Sequence, residues 1–350
     1  MATTERTSAT ELTKPTASVE SLAVTPPVTP NATNTSAHQL VSEIRDIYTT
    51  LNELSSLAPS DPVNTLLTRL VNLCVVPYSA EFTTCFFQIA GVEALCAKLR
   101  PLCSEAEGEL EKYWAERMLA ELANKSTNKK DNTSQIEPSD ILQTFPYHQN
   151  YIDLSRLEAS AISAFLPDPS TPPTRIAFLG SGPLPLTSLC FLSQYPTAHI
   201  HNIDRDATAL RLSAALCGKL GFEKRMSFTC EDVTADSEVA VQGEGEEKEE
   251  GETESSSETS PSWTQSQVVF LAALVGTDTH SKIAILASLA ARLRPGCLVV
   301  ARSAQGVRSV LYPILQLSED LQAIGLEVLA EVHPWTKVVN SVVVLRVKER

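Results

Sequence analysis

The sequence predicts an α/β protein, a doubly wound parallel sheet preceded by an all-α helical bundle. Three observations carry this. Apolar residues recur at helical spacing through the first half of the chain. A proline-rich stretch, LPDPSTPPT at residues 166–174, then interrupts the pattern. After it, short β-branched runs alternate with helical segments, the grammar of a right-handed, doubly wound sheet.

The elements follow in order. Residues 1–36 are rich in Thr, Ser, Pro and Ala and read as a disordered tail. Residues 37–165 read as the bundle. Leu40, Ile44, Ile47, Leu51 and Leu54 lie three and four apart, a helical stripe. Ser60 and Asp61 precede Pro62, a cap followed by a residue suited to a first turn. Val63, Leu66, Leu67, Leu70 and Cys74 continue that helix. A third helix is expected over about Phe86–Leu99, stopped by Pro101, and a fourth over about Ser104–Asn124. A polar loop, Lys125–Ser139, separates it from another helix after Pro146.

Beyond the linker, residues 175–350 supply the sheet. RIAFLG, HIHNID, MSFTC, QVVFLAAL and CLVVAR read as parallel strands. EVLAEVH and VVNSVVVLRV read as a closing antiparallel pair joined at PWTK. A disordered acidic insertion is expected at about residues 236–262. Its segment Gly243–Ser260 carries eight Glu against one Lys, half of the chain's net charge of −14.

Composition excludes several classes. A protein of 350 residues with 43% hydrophobic content can build a packed core. No apolar run reaches the eighteen or so residues of a membrane helix, and the N-terminus lacks a signal-peptide core. The acidic balance makes nucleic acid a poor partner. Eight cysteines form no CxxC pair and read as buried thiols of a reducing, cytoplasmic setting. His148, His199, His201 and His333 have no metal-site spacing. The expected partner is a small molecule, with neither membrane nor metal; a homo-oligomer stays open.

The chemistry is expected at FLGSGPLPLTS, Phe178–Ser188. Gly180, Ser181 and Gly182 follow the first strand, where a Rossmann-like sheet holds its ligand. Glycine allows the tight turn and close backbone approach. A pyrophosphate would want free N–H groups at the helix start. Pro183 and Pro185 delete two donors there, which argues against a dinucleotide. Asp204, ending the second strand, is placed for ribose hydroxyls, and Asp232 for an adenine amino group; Asp206 reads as a helix cap. Turn, ribose acid and base acid together suggest S-adenosylmethionine. The alternative is a tight strand-to-helix connection and nothing more.

Longer blocks are more specific. PSDPVNTLLTRLVNLC, LCSEAEGELEKYWAERML, FPYHQNYIDLSRLE, FLGSGPLPLTS, HNIDRD, VVFLAALVG, PGCLVVARSAQGVRSVLYP and EVHPWTKVVNSVVV occur in order between Ala58 and Val344. Through them the chain resembles the nicotianamine synthases. The resemblance implies a helical bundle on a class I methyltransferase-like domain. It implies joining of the aminocarboxypropyl groups of three S-adenosylmethionine molecules, with release of three methylthioadenosines and closure of an azetidine ring. No cofactor beyond that substrate is implied. The rival readings are a sister enzyme making a shorter product, an S-adenosylmethionine methyltransferase, and a binding module without chemistry.

An amine nucleophile is mostly protonated at neutral pH and needs a nearby base. Glu107 and Glu111 share a helix face with Trp114, whereas Glu109 reads as a solvated, dipole-complementing acid. On the SEAEG resemblance Glu107 is the leading base, with Glu105 and Glu111 behind it. On the FPYHQNY resemblance Tyr147 is expected to bond the reacting amine or a substrate carboxylate, with Tyr151 beside it. Arg302 and Ser303 end the fifth strand and Tyr312 follows, and all three are candidates for substrate carboxylates; a structural acid is the alternative partner of Arg302. Asn340 faces the site or serves the strand edge.

Overall fold

The computed structural model describes residues 30–127, 138–233 and 262–349. Six helices come first: α1 (Pro30–Glu53), α2 (Asp61–Cys74), α3 (Ala80–Gln88), α4 (Val92–Thr127), α5 (Pro138–Leu142) and α6 (His148–Ser163). The sheet region follows as β1 (Arg175–Leu179), α7 (Leu186–Gln194), β2 (His199–Asp204), α8 (Ala207–Lys219) and β3 (Met226–Cys230). It continues as β4 (Val268–Leu271), α9 (Thr279–Arg292), β5 (Leu298–Ser303), α10 (Glu319–Ala323), β6 (Leu326–Val332) and β7 (Ser341–Val347). Most of the expected acidic insertion, and the expected tail up to residue 29, lie outside the described residues.

The seven strands are ordered β3-β2-β1-β4-β5-β7-β6. The first five are parallel, and β7 enters antiparallel between β5 and β6. Order reverses at β1, so β1 and β4 flank the point where a ligand crevice opens at the strands' carboxyl ends. Alternation along β1 explains the two-sided core. Ile176 and Phe178 face α6, α7 and α8, while Ala177 and Leu179 face α9. β4 is buried on both faces, which is why VVFL reads as a continuous apolar run.

The helical half divides between two cores. α1 to α3 and the first half of α4 close over Ile44, Leu70, Phe86 and Leu99, joined by Val307, Val310 and Leu311 of the segment after β5. The second half of α4 contributes Ala115 and Met118 to the core under α5 to α8 and one face of the sheet.

Four boundaries differ from the sequence reading. Helix α1 begins at Pro30, inside the expected tail, because proline suits a first turn and the stripe from Ala37 onward is buried. The break before α4 falls between Ile89, where extended backbone ends α3, and Gly91, which turns the chain with a φ of +85°; α3 and α4 are bent by 94° there. Pro101 lies inside α4 and stops nothing. It forfeits one backbone hydrogen bond, and burial of Leu95, Leu99, Cys103 and Ala106 holds the helix through it. Last, Pro183 and Pro185 precede α7, which starts at Leu186. Among the described residues no single helix is long and apolar enough to cross a membrane.

Candidate active site

A cavity of about 830 Å³ lies between the carboxyl edge of the sheet and the helices α2, α4 and α6. Its floor is the glycine turn. Gly180 N–H donates to the Ile203 carbonyl at 2.8 Å, tying the turn to β2. Gly182 N–H donates to Asp204 Oδ2 at 2.9 Å, and Asp206 N–H to Oδ1 at 3.0 Å. Asp204 thus fixes the turn from below while lining the cavity. Asp206 caps α8 through Thr208 and Ala209, as expected.

Both glycines are required. Gly180 and Gly182 have φ of +78° and +63°, the left-handed region. A Cβ at Gly180 would clash with Val275 Cγ2. A Cβ at Gly182 would stand 2.6 Å from Glu111 Oε2. Without a Cβ there, a carboxylate of α4 lies close to the turn backbone.

Two carboxylate–tyrosine pairs roof the cavity. Tyr312 Oη donates to Glu107 Oε2 at 3.0 Å, and Tyr151 Oη to Glu111 Oε1 at 3.0 Å. All four side chains line the cavity. Burial pushes the Glu107 carboxyl up, against the hydrogen bond from Tyr312. Burial also drives Glu111 well above the ordinary carboxylate value, helped by the charge of Glu107. The phenols of Tyr151 and Tyr312 are likewise pushed well up, by burial first and the neighbouring glutamates second. At neutral pH both tyrosines are donors to the carboxylates.

Arg302 anchors the deep wall. Its Nε and Nη2 donate to the two oxygens of Glu158 at 2.8 and 3.0 Å, and Nη2 also to Thr187 Oγ1 at 2.9 Å. Its guanidinium stacks 5.3 Å over the Phe178 ring. Burial opposes the Arg302 charge, but the Glu158 carboxylate outweighs it and the pKa is raised. The structural-acid alternative is therefore occupied, while Arg302 still borders the cavity.

Of the expected residues, Glu107, Glu111, Tyr147, Tyr151, Gly180, Ser181, Gly182, Asp204, Asp232, Arg302 and Tyr312 share this one cavity. Two do not. Glu105 is exposed and lies off the cavity wall, because two helical residues turn the side chain about 200° from Glu107. Ser303 is fully buried on the opposite face of β5 from Arg302, where its Oγ accepts from Leu315 N–H at 2.8 Å. The tyrosines also trade emphasis. Tyr147 is 42% exposed at the N-terminal boundary of α6, while Tyr151 holds the acid.

Sequence reasoning missed Glu158 and Lys282. Glu158 stands in the buried row Leu154, Glu158, Ile162 of α6, so an acid in an apolar stripe was the signal. Lys282 is fully buried in α9, and its Nζ donates to the carbonyls of Ala273 and Val275 at 2.8 and 2.9 Å. It ties down the loop after β4 that borders the cavity, and burial lowers its pKa to about 7. Among the described residues, no group of three His, Cys, Asp or Glu is arranged to hold a metal ion.

Comparison with known proteins agrees with this architecture. The family described as "Nicotianamine synthase protein" matches residues 32–242 and 253–350. "Nicotianamine synthase 3" of Oryza sativa subsp. indica is 35% identical over 312 residues, covering 88% of this chain and 78% of that protein. "Nicotianamine synthase 2" of Arabidopsis thaliana is 35% identical over 309 residues, covering 88% and 83%. Among solved structures, MtNAS in complex with MTA and tNA superposes with a TM-score of 0.65 at 17% identity, covering 89% of this chain and 98% of that one. A glutamate-to-glutamine variant of MtNAS in complex with S-adenosylmethionine gives 0.62 at 18%, covering 88% and 98%. At such identities these structures speak for the fold; the family match and the plant relatives speak for kinship. The chain belongs to the nicotianamine synthase family.

Proposed function

We propose that the protein is a nicotianamine synthase, which joins three aminocarboxypropyl groups from S-adenosylmethionine and releases three methylthioadenosines. The observation that carries this is the pair of tyrosine-held carboxylates above a glycine turn that offers no amides at its two prolines. A sulfonium needs no phosphate cradle. Its three S–C bonds are each open to attack, so the bond that lies in line with the nucleophile reacts.

In two joins the α-amine of one substrate attacks the γ-carbon of another, and in the third step the amine of the last unit attacks its own γ-carbon and closes the azetidine ring. The C–N bond forms as the C–S bond breaks, and the electron pair stays on sulfur as a neutral thioether. Before attack the ammonium must give up a proton. Glu107 takes it, with Glu111 beside it and Tyr312 and Tyr151 orienting the two carboxylates. Asp204 receives the ribose hydroxyls and Asp232 the adenine amino group. Arg302 presents its cation toward a substrate carboxylate across the cavity wall. Tyr147 borders the mouth.

Incubation with S-adenosylmethionine alone, followed by mass spectrometry, tests the reading. Methylthioadenosine together with the mass of nicotianamine is expected. A shorter product would keep the chemistry and change the product length. Adenosylhomocysteine formed on adding a methyl acceptor, without methylthioadenosine, would overturn it. Replacing Asp204 by alanine should weaken methylthioadenosine binding about tenfold or more, as two turn amides and the ribose lose a charged partner. Calorimetric titration checks this; unchanged affinity would remove Asp204 from the nucleoside pocket.

A further inference from the structure

Asn340 carries a buried side-chain nitrogen without a hydrogen-bond partner among the described residues. It immediately precedes β7, and its row continues through Val342, which pairs with Arg302, and Val344. Those valines belong to the core beneath α6 and α7, so Asn340 faces the same side of the sheet as Arg302. It is 9% exposed and lines the cavity, yet its Nδ2 has no hydrogen-bond partner among the described residues. Buried side-chain amides nearly always have one. Five described side-chain atoms are in that state, and only those of Ser181 and Asn340 border the cavity. Ser181 belongs to the glycine turn, whereas Asn340 stands at the other end.

The order of the strands gives that separation a length. From Asp204 on β2 to Asn340 beside β7 there are four steps, β2-β1-β4-β5-β7. At about 4.8 Å per step the two residues stand roughly 19 Å apart. Between them come Glu111 over the β1 turn, then Arg302 and the Glu107–Tyr312 pair beyond β5. The connection carrying Asn340 is held in place, because Asn150 Nδ2 of α6 donates to the Lys337 carbonyl at 2.9 Å. Lys337 is exposed where it borders the cavity and makes no ion pair among the described residues.

We propose that Asn340 and Lys337 form the subsite for the α-amino-acid head group of the acceptor, the molecule whose amine is alkylated. An amide offers a donor to the carboxylate and an acceptor to the amine of the same head group, and lysine adds the opposite charge. Donor and acceptor then reach the carboxylates from opposite ends of one cavity. The inference rests on the synthase reading, and it assigns a side of the site which that reading leaves unassigned.

The test pairs steady-state turnover of S-adenosylmethionine with calorimetric binding of methylthioadenosine, which lacks the head group. Asn340→Ala should raise KM about tenfold or more and release partly joined products, with methylthioadenosine affinity held within about twofold. Lys337→Glu, at an exposed position, should raise KM likewise and keeps the test open if Asn340→Ala does not fold. Unchanged KM in the folded variants, or methylthioadenosine affinity falling in step, would overturn the subsite. If the wild-type protein releases no methylthioadenosine, the synthase reading falls instead. The subsite is then judged by binding alone: a preference for S-adenosylmethionine over methylthioadenosine that Asn340→Ala abolishes sustains it, and no such change ends it.

Discussion

Glu107→Gln should lower turnover by about a hundredfold while methylthioadenosine still binds, the scale of losing a general base. Glutamine keeps an oxygen for the Tyr312 hydroxyl and so preserves the geometry seen at 3.0 Å. It cannot take a proton. Turnover within a few-fold of wild type would move the role to Glu111. The pH profile gives a second handle. Both acids are held above their ordinary value, by burial and, for Glu111, by Glu107. Activity should therefore fall, as pH is lowered, at a higher pH than a surface carboxylate would allow. Two interacting acids titrate as a pair, so the limb belongs to both.

Stability moves the other way, and the sign follows from linkage. The folded protein holds these protons more tightly than the unfolded chain does. Stability is therefore lost as pH rises from the ordinary carboxylate value of 4.5 through the raised folded values. Glutamine carries no such cost. Above that window Glu107→Gln should melt no lower than wild type, which separates lost chemistry from lost folding.

Glu158→Ala should be among the most damaging single substitutions for folding. It would leave Arg302 charged in a wall where the two side chains are 8% and 0% exposed. Breaking a buried pair from one side costs about 3–5 kcal/mol, a drop in Tm on the order of 10 °C. Replacing both partners, as Glu158→Leu with Arg302→Met, removes the stranded charge along with the pair. That double variant should recover most of the melting temperature and none of the turnover. Thermal scans and turnover assays on the single and double variants complete the cycle; additive losses would mean that the two residues do not act as a pair.

Much of this was legible in the chain. Strands were readable because buried parallel strands are continuous β-branched runs, as in VVFL and CLVVAR. Asp206 was readable as a cap because its side chain serves its own helix. Ser303 was misplaced although the strand period forbids two successive residues from facing one ligand. Glu105 failed by the same kind of argument at helical period. Tyr147 and Tyr151 are four apart, but Tyr147 has φ of −104° and ψ of 11° and stands outside the helix that the spacing assumes. Pairings across the fold were beyond local spacing: Glu158 with Arg302 is separated by 144 residues, and Glu107 with Tyr312 by 205.

Helix α4 has one further consequence. Its first half is buried with α1 to α3, its second half with the sheet, and Arg100 in its first half donates twice to the Ser309 carbonyl at 2.9 and 2.7 Å. Glu107 and Glu111 sit on the stretch that crosses from one core to the other. Neither core can melt without releasing the rod that the other also grips. The two halves of this chain are therefore expected to unfold together, and Glu107 and Glu111 stand where they are joined.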